Sequence, residues 1–126
     1  MSTSSVISVV DDDASVRAAL KNLLSTRGYV VHTFGSAMEF LGSPYLNDTS
    51  CVITDVQMPV MSGLELLVTM RMRGYAAPCI VITAFPDDGI GARAMKAGAI
   101  GFLAKPFGAP SLIKCIDVAL ESGGAN

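Results

Sequence analysis

Short apolar runs alternate along this chain with longer stretches of helical period. Val6-Ile7-Ser8-Val9-Val10 has the length of a strand, and Val16, Ala19, Leu20, Leu23 and Leu24 then recur at the three-and-four spacing that predicts one buried helix face. Gly28 stops that helix, and residues 29–33 form a second apolar run. Ser36 is placed to cap a short helix ending at Leu41, before the turn residues Gly42-Ser43-Pro44. A third strand is predicted over 51–54. Ser62 then caps a helix with Leu64, Leu67 and Val68 turned inward, and Glu65 completes a Ser-x-x-Glu capping box. A fourth strand at 79–83 leads into a helix whose core face is Ile90, Ala94 and Ala97 and which Gly98 ends. Gly89 and Gly91 fall in its first turns, where each costs up to ~1 kcal/mol relative to alanine. That end is expected to be loose. A fifth strand over 100–103 precedes a last helix with Leu112, Ile113, Ile116, Ala119 and Leu120 on one face, before the Gly123-Gly124 tail.

Five strand–helix units with fully apolar strands predict a parallel sheet covered on both faces, a three-layer α/β domain. The length of 126 residues allows one domain, and 51% hydrophobic against 16% charged residues supplies a core and excludes a disordered chain. A net charge of -2 offers no basic excess for nucleic-acid phosphates or an anionic membrane. Mean hydropathy is +0.50, yet runs such as Cys79-Ile80-Val81-Ile82 fall far short of the ~20 residues of a membrane span. Met1-Ser2-Thr3-Ser4-Ser5 lacks the basic start of a secretion signal. Cys51, Cys79 and Cys115 are odd in number with no C-x-x-C spacing, so they read as free thiols in a reducing cytoplasm and not as a zinc site or disulfide framework.

Candidate chemistry lies at the strand ends. The first strand runs into Asp11-Asp12-Asp13, the third into Asp55, the fourth into Thr83, and the fifth reaches Lys105. In an open parallel sheet all of these fall on the carboxyl rim, where ligands bind. Carboxylates gathered there repel one another unless a cation joins them. Mg²⁺ suits them, since it prefers oxygen ligands and takes one or two carboxylates plus waters and phosphate. Lys105 and Thr83 would add a positive charge and a hydroxyl donor for a tetrahedral anion. These parts fit phosphoryl transfer with an aspartate nucleophile. Taken singly each has a plainer role: Asp11 to Asp13 as helix caps, Thr83 as a strand residue, His32 as a solvated side chain at a strand edge.

The sequence resembles the receiver domain of bacterial two-component response regulators, most closely the nitrogen-fixation type. Five ordered blocks carry the likeness: Val9-Val10-Asp11-Asp12-Asp13, Thr54-Asp55-Val56-Gln57-Met58-Pro59, Met61-Ser62-Gly63, Ile82-Thr83-Ala84, and Gly101-Phe102-Leu103-Ala104-Lys105-Pro106-Phe107. The resemblance implies one receiver domain over 1–126, a flavodoxin-like fold with strand order 2-1-3-4-5 and five helices. It implies that Asp55 accepts a phosphoryl group from a sensor histidine kinase, or a small phosphodonor, in a Mg²⁺-dependent reaction. Asp11, Asp12, Asp55 and the backbone carbonyl of Gln57 would hold the metal, Asp12 directly and Asp11 partly through water. Lys105 would pair with the phosphoryl oxygens, and the Lys105-Pro106 bond would be cis. Thr83 and Phe102 would form the switch pair that biases the fourth helix, fifth strand and fifth helix. Gln57 and Phe85 flank the phosphoryl position and would tune hydrolysis, Phe85 by shielding Asp55 from water.

The resemblance further implies a cytoplasmic signalling domain with slow self-dephosphorylation rather than an enzyme. An output or DNA-binding domain would lie outside this chain, and phosphorylation would allow dimerisation through the fourth helix and fifth strand. The departures are Asp13, an added charge without a clear role, and Pro86-Asp87-Asp88-Gly89, where partner contacts do not carry over. The rival reading is a haloacid-dehalogenase-type phosphatase. Asp11-Asp12-Asp13-Ala14-Ser15 fits its D-x-D-x-[ST] pattern with Asp11 as nucleophile and Asp87-Asp88 as the second acidic pair. In that family the second pair follows the lysine, and here it precedes Lys105.

Overall fold

The computed structural model describes residues 5–87 and 89–123. Its strands are β1 (Val6–Val10), β2 (Val30–Phe34), β3 (Cys51–Asp55), β4 (Cys79–Thr83) and β5 (Gly101–Ala104). Its helices are α1 (Ala14–Ser25), α2 (Ala37–Leu41), α3 (Gly63–Met72), α4 (Ile90–Lys96) and α5 (Ala109–Gly123), and a short 3₁₀ turn spans Leu46–Asp48. All strand pairs are parallel, in the order β2-β1-β3-β4-β5. The expected fold class and strand order are therefore observed. Asp88 and Gly124 lie outside the described residues.

Alternation along each strand divides the core in two. Val10, Val52 and Val81 join Phe40, Leu66, Leu67 and Met70 of α2 and α3 on one face, while Ile7, Val9, Ile53, Ile80 and Ile82 meet Leu20 and Leu24 of α1 and Leu112 and Ile116 of α5 on the other. The central strands are buried on both sides, which is why they lack the polar alternation of a one-sided sheet.

Several local expectations shift. β2 and β5 each begin one residue later than their apolar runs, because pairing with β1 and β4 sets the register: Val6 opposes Val30, and Ile80 opposes Gly101. Val68 does not face inward; it is 45% exposed, and Leu66 takes the core position. At 100° per residue Leu66, Leu67 and Met70 share a face from which Val68 is turned away. Ala19 likewise sits on the exposed side of α1 and Ala97 is half-buried past the end of α4. The caps form as expected, with Ser62 and Glu65 exchanging bonds of 2.9 and 3.1 Å in a capping box. Glycines at φ +90, +86 and +106 (Gly28, Gly74, Gly98) end α1, α3 and α4.

The topology also selects the site. The chain moves outward from β1 to β2 and returns across β1 to β3, so the order reverses between β1 and β3. Parallel sheets open a crevice at such a reversal, beyond the strand ends. Val10 opposes Thr54, which sets Asp11 and Asp55 side by side at that point.

Candidate functional site

The residues expected on the rim meet there. Asp11 is 0% and Asp55 5% exposed, and Asp12 is exposed beside them. One oxygen from each lies within 4.8 Å of the others. Lys105 Nζ is 3.1 Å from Asp11 Oδ2 and 3.6 Å from Asp55 Oδ2. It thus hydrogen-bonds Asp11 and reaches Asp55 by charge alone. The Lys105-Pro106 peptide is cis, as the resemblance implies.

The two carboxylates differ in how they are satisfied. Asp11 Oδ1 accepts the Asp13 N–H at 2.9 Å and Oδ2 takes Lys105, so both oxygens have partners. Asp55 Oδ1 is buried and accepts no hydrogen bond. Burial, and then the charge of Asp11, raise the Asp55 pKa, against the opposing pull of Lys105 and of the Val56 N–H. Burial alone would lower the Lys105 pKa, but the hydrogen bond and charge of Asp11, joined by Asp55, carry it upward instead. The site therefore holds more negative charge than its lysine offsets. An orphaned buried oxygen, three converging carboxylates and an all-oxygen donor set fit a hard divalent cation.

Two supports of these groups, and one strained residue on the loop before α3, escape a reading by residue type. Arg17 Nη1 donates to the Asp11 carbonyl at 2.7 Å, fixing the acidic loop from the first turns of α1; an arginine there is an ordinary helix residue by pattern. A Cβ on Gly63 would collide with the Asp55 carbonyl oxygen, so only glycine lets the start of α3 approach the end of β3. Val60, 93% exposed, holds φ +71, a left-handed conformation that is strained for a β-branched side chain. Asp13 acquires a definite role, since its side chain accepts the Ser15 N–H at 2.8 Å and caps α1.

Thr83 is buried at the end of β4, donates to Gln57 Oε1 at 2.7 Å and accepts the Phe85 N–H at 3.0 Å. Phe85 is 71% exposed. Phe102 is partly buried against the α2–α3–α4 core, its ring lying where a Cβ on Gly91 would touch it at 3.5 Å. His32 is half-buried rather than simply solvated, stacked on Tyr45 with ring centroids 3.7 Å apart. The three cysteines are free. Burial pushes the Cys79 thiol up to about 11 and that of Cys51 higher still, so neither is a ready nucleophile. No helix among the described residues is long and apolar enough to cross a membrane.

Comparison with known proteins gives a consistent result. The response regulator receiver domain family matches residues 7–117. Nodulation protein W of Bradyrhizobium diazoefficiens is 40% identical over 120 residues, covering 95% of this chain and 53% of that protein. The crystal structure of FixJ-N superposes with a TM-score of 0.85 at 36% identity, covering 95% of this chain and 96% of that one. The structure of the response regulator StyR gives 0.90 at 40% identity, covering 98% of this chain and 62% of that one. The chain spans about half the length of the curated relatives it matches.

Proposed function

Because the chain belongs to the response regulator receiver domain family, we propose that Asp55 is its phospho-acceptor, charged by a sensor histidine kinase or a small phosphodonor in a Mg²⁺-dependent reaction. The observation that carries this reading is the unpartnered, buried Oδ1 of Asp55 beside Lys105. A nucleophile needs a free lone pair, and Asp55 has one. Both oxygens of Asp11 are already engaged by hydrogen-bond donors and the residue is fully buried, which disfavours the rival phosphatase with Asp11 as nucleophile.

In the proposed reaction an Asp55 oxygen bonds to phosphorus while the bond from phosphorus to the donor nitrogen or oxygen breaks, and the donor leaves with its bonding pair. Asp11, Asp12, Asp55 and the Gln57 carbonyl would hold Mg²⁺, whose contribution is to screen the carboxylates and the charge on the phosphoryl oxygens. Lys105 sits close enough to Asp11 and Asp55 to turn toward those oxygens without leaving the rim. Thr83 supplies a hydroxyl from β4 to the same group. Its departure opens space for Phe102, whose ring borders the start of α4 at Gly91. The α4–β5–α5 face would then carry the signal to an output domain outside this chain, or to a second copy.

A partner that brings phosphohistidine needs a surface leading to Asp55. A cavity of about 410 Å³ lined by Val16, Leu20 and Leu23 of α1 and by Pro106 and Phe107 reaches Lys105 at its edge. An apolar helical face of the kinase fits that groove.

Incubation with acetyl phosphate and Mg²⁺, followed by intact mass, tests the reading. One added phosphoryl group is expected for the native protein and none for Asp55→Asn or in EDTA. Undiminished labelling of Asp55→Asn would overturn it.

A further inference from the structure

Gln57 and Thr83 are 26 residues apart, yet the Thr83 hydroxyl donates to Gln57 Oε1 at 2.7 Å. Thr83 is fixed from behind as well, because its oxygen accepts the Phe85 N–H at 3.0 Å. Gln57 lies on the loop after β3 with its side chain exposed, so no core packing requires this bond. What the bond does is occupy a proton. A threonine hydroxyl has one hydrogen to donate. It can be given to the Gln57 amide oxygen or to an oxygen of a phosphoryl group on Asp55, and not to both.

We propose that Gln57 is a latch on the receiver switch: its amide oxygen holds the Thr83 hydroxyl in the resting position and competes with the phosphoryl group for that proton. The proposal rests on Asp55 as phospho-acceptor. It assigns the Gln57 side chain a positioning role separate from the metal contact of its backbone carbonyl. For the proton that Thr83 donates the exchange is one for one, since one acceptor replaces another. The incoming acceptor is charged, and charge-assisted bonds are roughly twice as strong as neutral ones. Phosphorylation therefore opens the latch, while the latch suppresses the switched state in its absence. A second consequence is steric: when Thr83 turns away, the freed Gln57 amide stands at the mouth of the site between β3 and β4. A neutral side-chain bond of this kind is worth about two- to tenfold in a two-state population.

Beryllofluoride, a stable mimic of the phosphoryl group, provides the test in the presence of Mg²⁺. Gln57→Leu keeps bulk and removes the acceptor. Thr83→Val keeps shape and removes the hydroxyl, whereas Thr83→Ser retains it. Gln57→Leu is expected to tighten beryllofluoride binding about two- to tenfold in the native and Thr83→Ser backgrounds and to leave it unchanged in Thr83→Val, with thermal unfolding confirming that each variant is folded. An equal effect in Thr83→Val, or none in the native background, overturns the latch while leaving the receiver reading intact. Failure of the native protein to bind beryllofluoride and to label Asp55 overturns both.

Discussion

Replacing Asp55 with asparagine should make the metal-free protein more stable. The Asp55 side chain is 8% exposed, its Oδ1 lacks a partner, and Lys105 at 3.6 Å is engaged with Asp11 instead. A buried acceptor left unsatisfied costs about 1–3 kcal/mol. Asparagine keeps the shape, loses the charge that Asp11 repels, and offers an N–H₂ where the carboxylate offered only lone pairs. Unfolding midpoints in EDTA should therefore rise by about 3–5 °C for each kcal/mol gained, by interpolation for a chain of this length. Mg²⁺ should narrow the gap. At ten times its dissociation constant a ligand of the native state contributes about 1.4 kcal/mol, and the variant, one carboxylate short, should gain less. Differential scanning fluorimetry of both proteins across a Mg²⁺ series measures this directly. A loss of 1 kcal/mol or more in EDTA for Asp55→Asn would refute the reasoning, as would equal Mg²⁺ gains in the two proteins (magnitudes on the scale of a single buried polar group).

Val60→Gly should stabilise the fold by about 1 kcal/mol in chemical denaturation, because glycine tolerates the left-handed φ of +71 that valine adopts there; a destabilised variant would contradict that strain. Gly63→Ala should cost about 1–3 kcal/mol and slow Asp55 labelling, since its Cβ would displace the Asp55 carbonyl; native stability and labelling would show that the approach is not needed. The raised pKa of Lys105 adds stability that is fully present below its unfolded value of 10.5 and is lost as pH rises through the folded value. Lys105→Ala should remove that alkaline decline, measured as unfolding free energy against pH. The raised pKa of Asp55 acts in the opposite sense to an ordinary paired carboxylate: in EDTA it favours the folded state at low pH, and the advantage fades as pH climbs through the folded pKa. Asp55→Asn should flatten that part of the profile.

The fold was legible because hydrophobic runs separated by capped amphipathic segments leave little choice of architecture. Ser62 with Glu65, and Gly28 and Gly98 after their helices, marked boundaries through chemistry that the backbone itself requires. Val68 misled because a valine at the three-and-four spacing from Leu64 satisfies the pattern locally, while the sheet beneath selects Leu66. The strand offsets at β2 and β5 had the same origin, since register is a property of the neighbour.

The site was legible where residue type carries the chemistry. Asp11, Asp12, Asp55 and Lys105 are charges at strand ends, and parallel pairing brings them together. Arg17, the Gln57 amide and the strained Val60 were not legible, because each depends on a three-dimensional approach. Arg17 acts on a backbone carbonyl, Gln57 on a hydroxyl 26 residues away, and Val60 through its φ.

The most direct measurement is chemical location of the phosphoryl group. After reaction with acetyl phosphate and Mg²⁺, borohydride reduction converts an aspartyl phosphate to homoserine, which peptide mapping can place. Homoserine at position 55, absent when Mg²⁺ is withheld, is the predicted result. Homoserine at position 11, or continuous release of phosphate from monoesters without an Asp55 adduct, would contradict it.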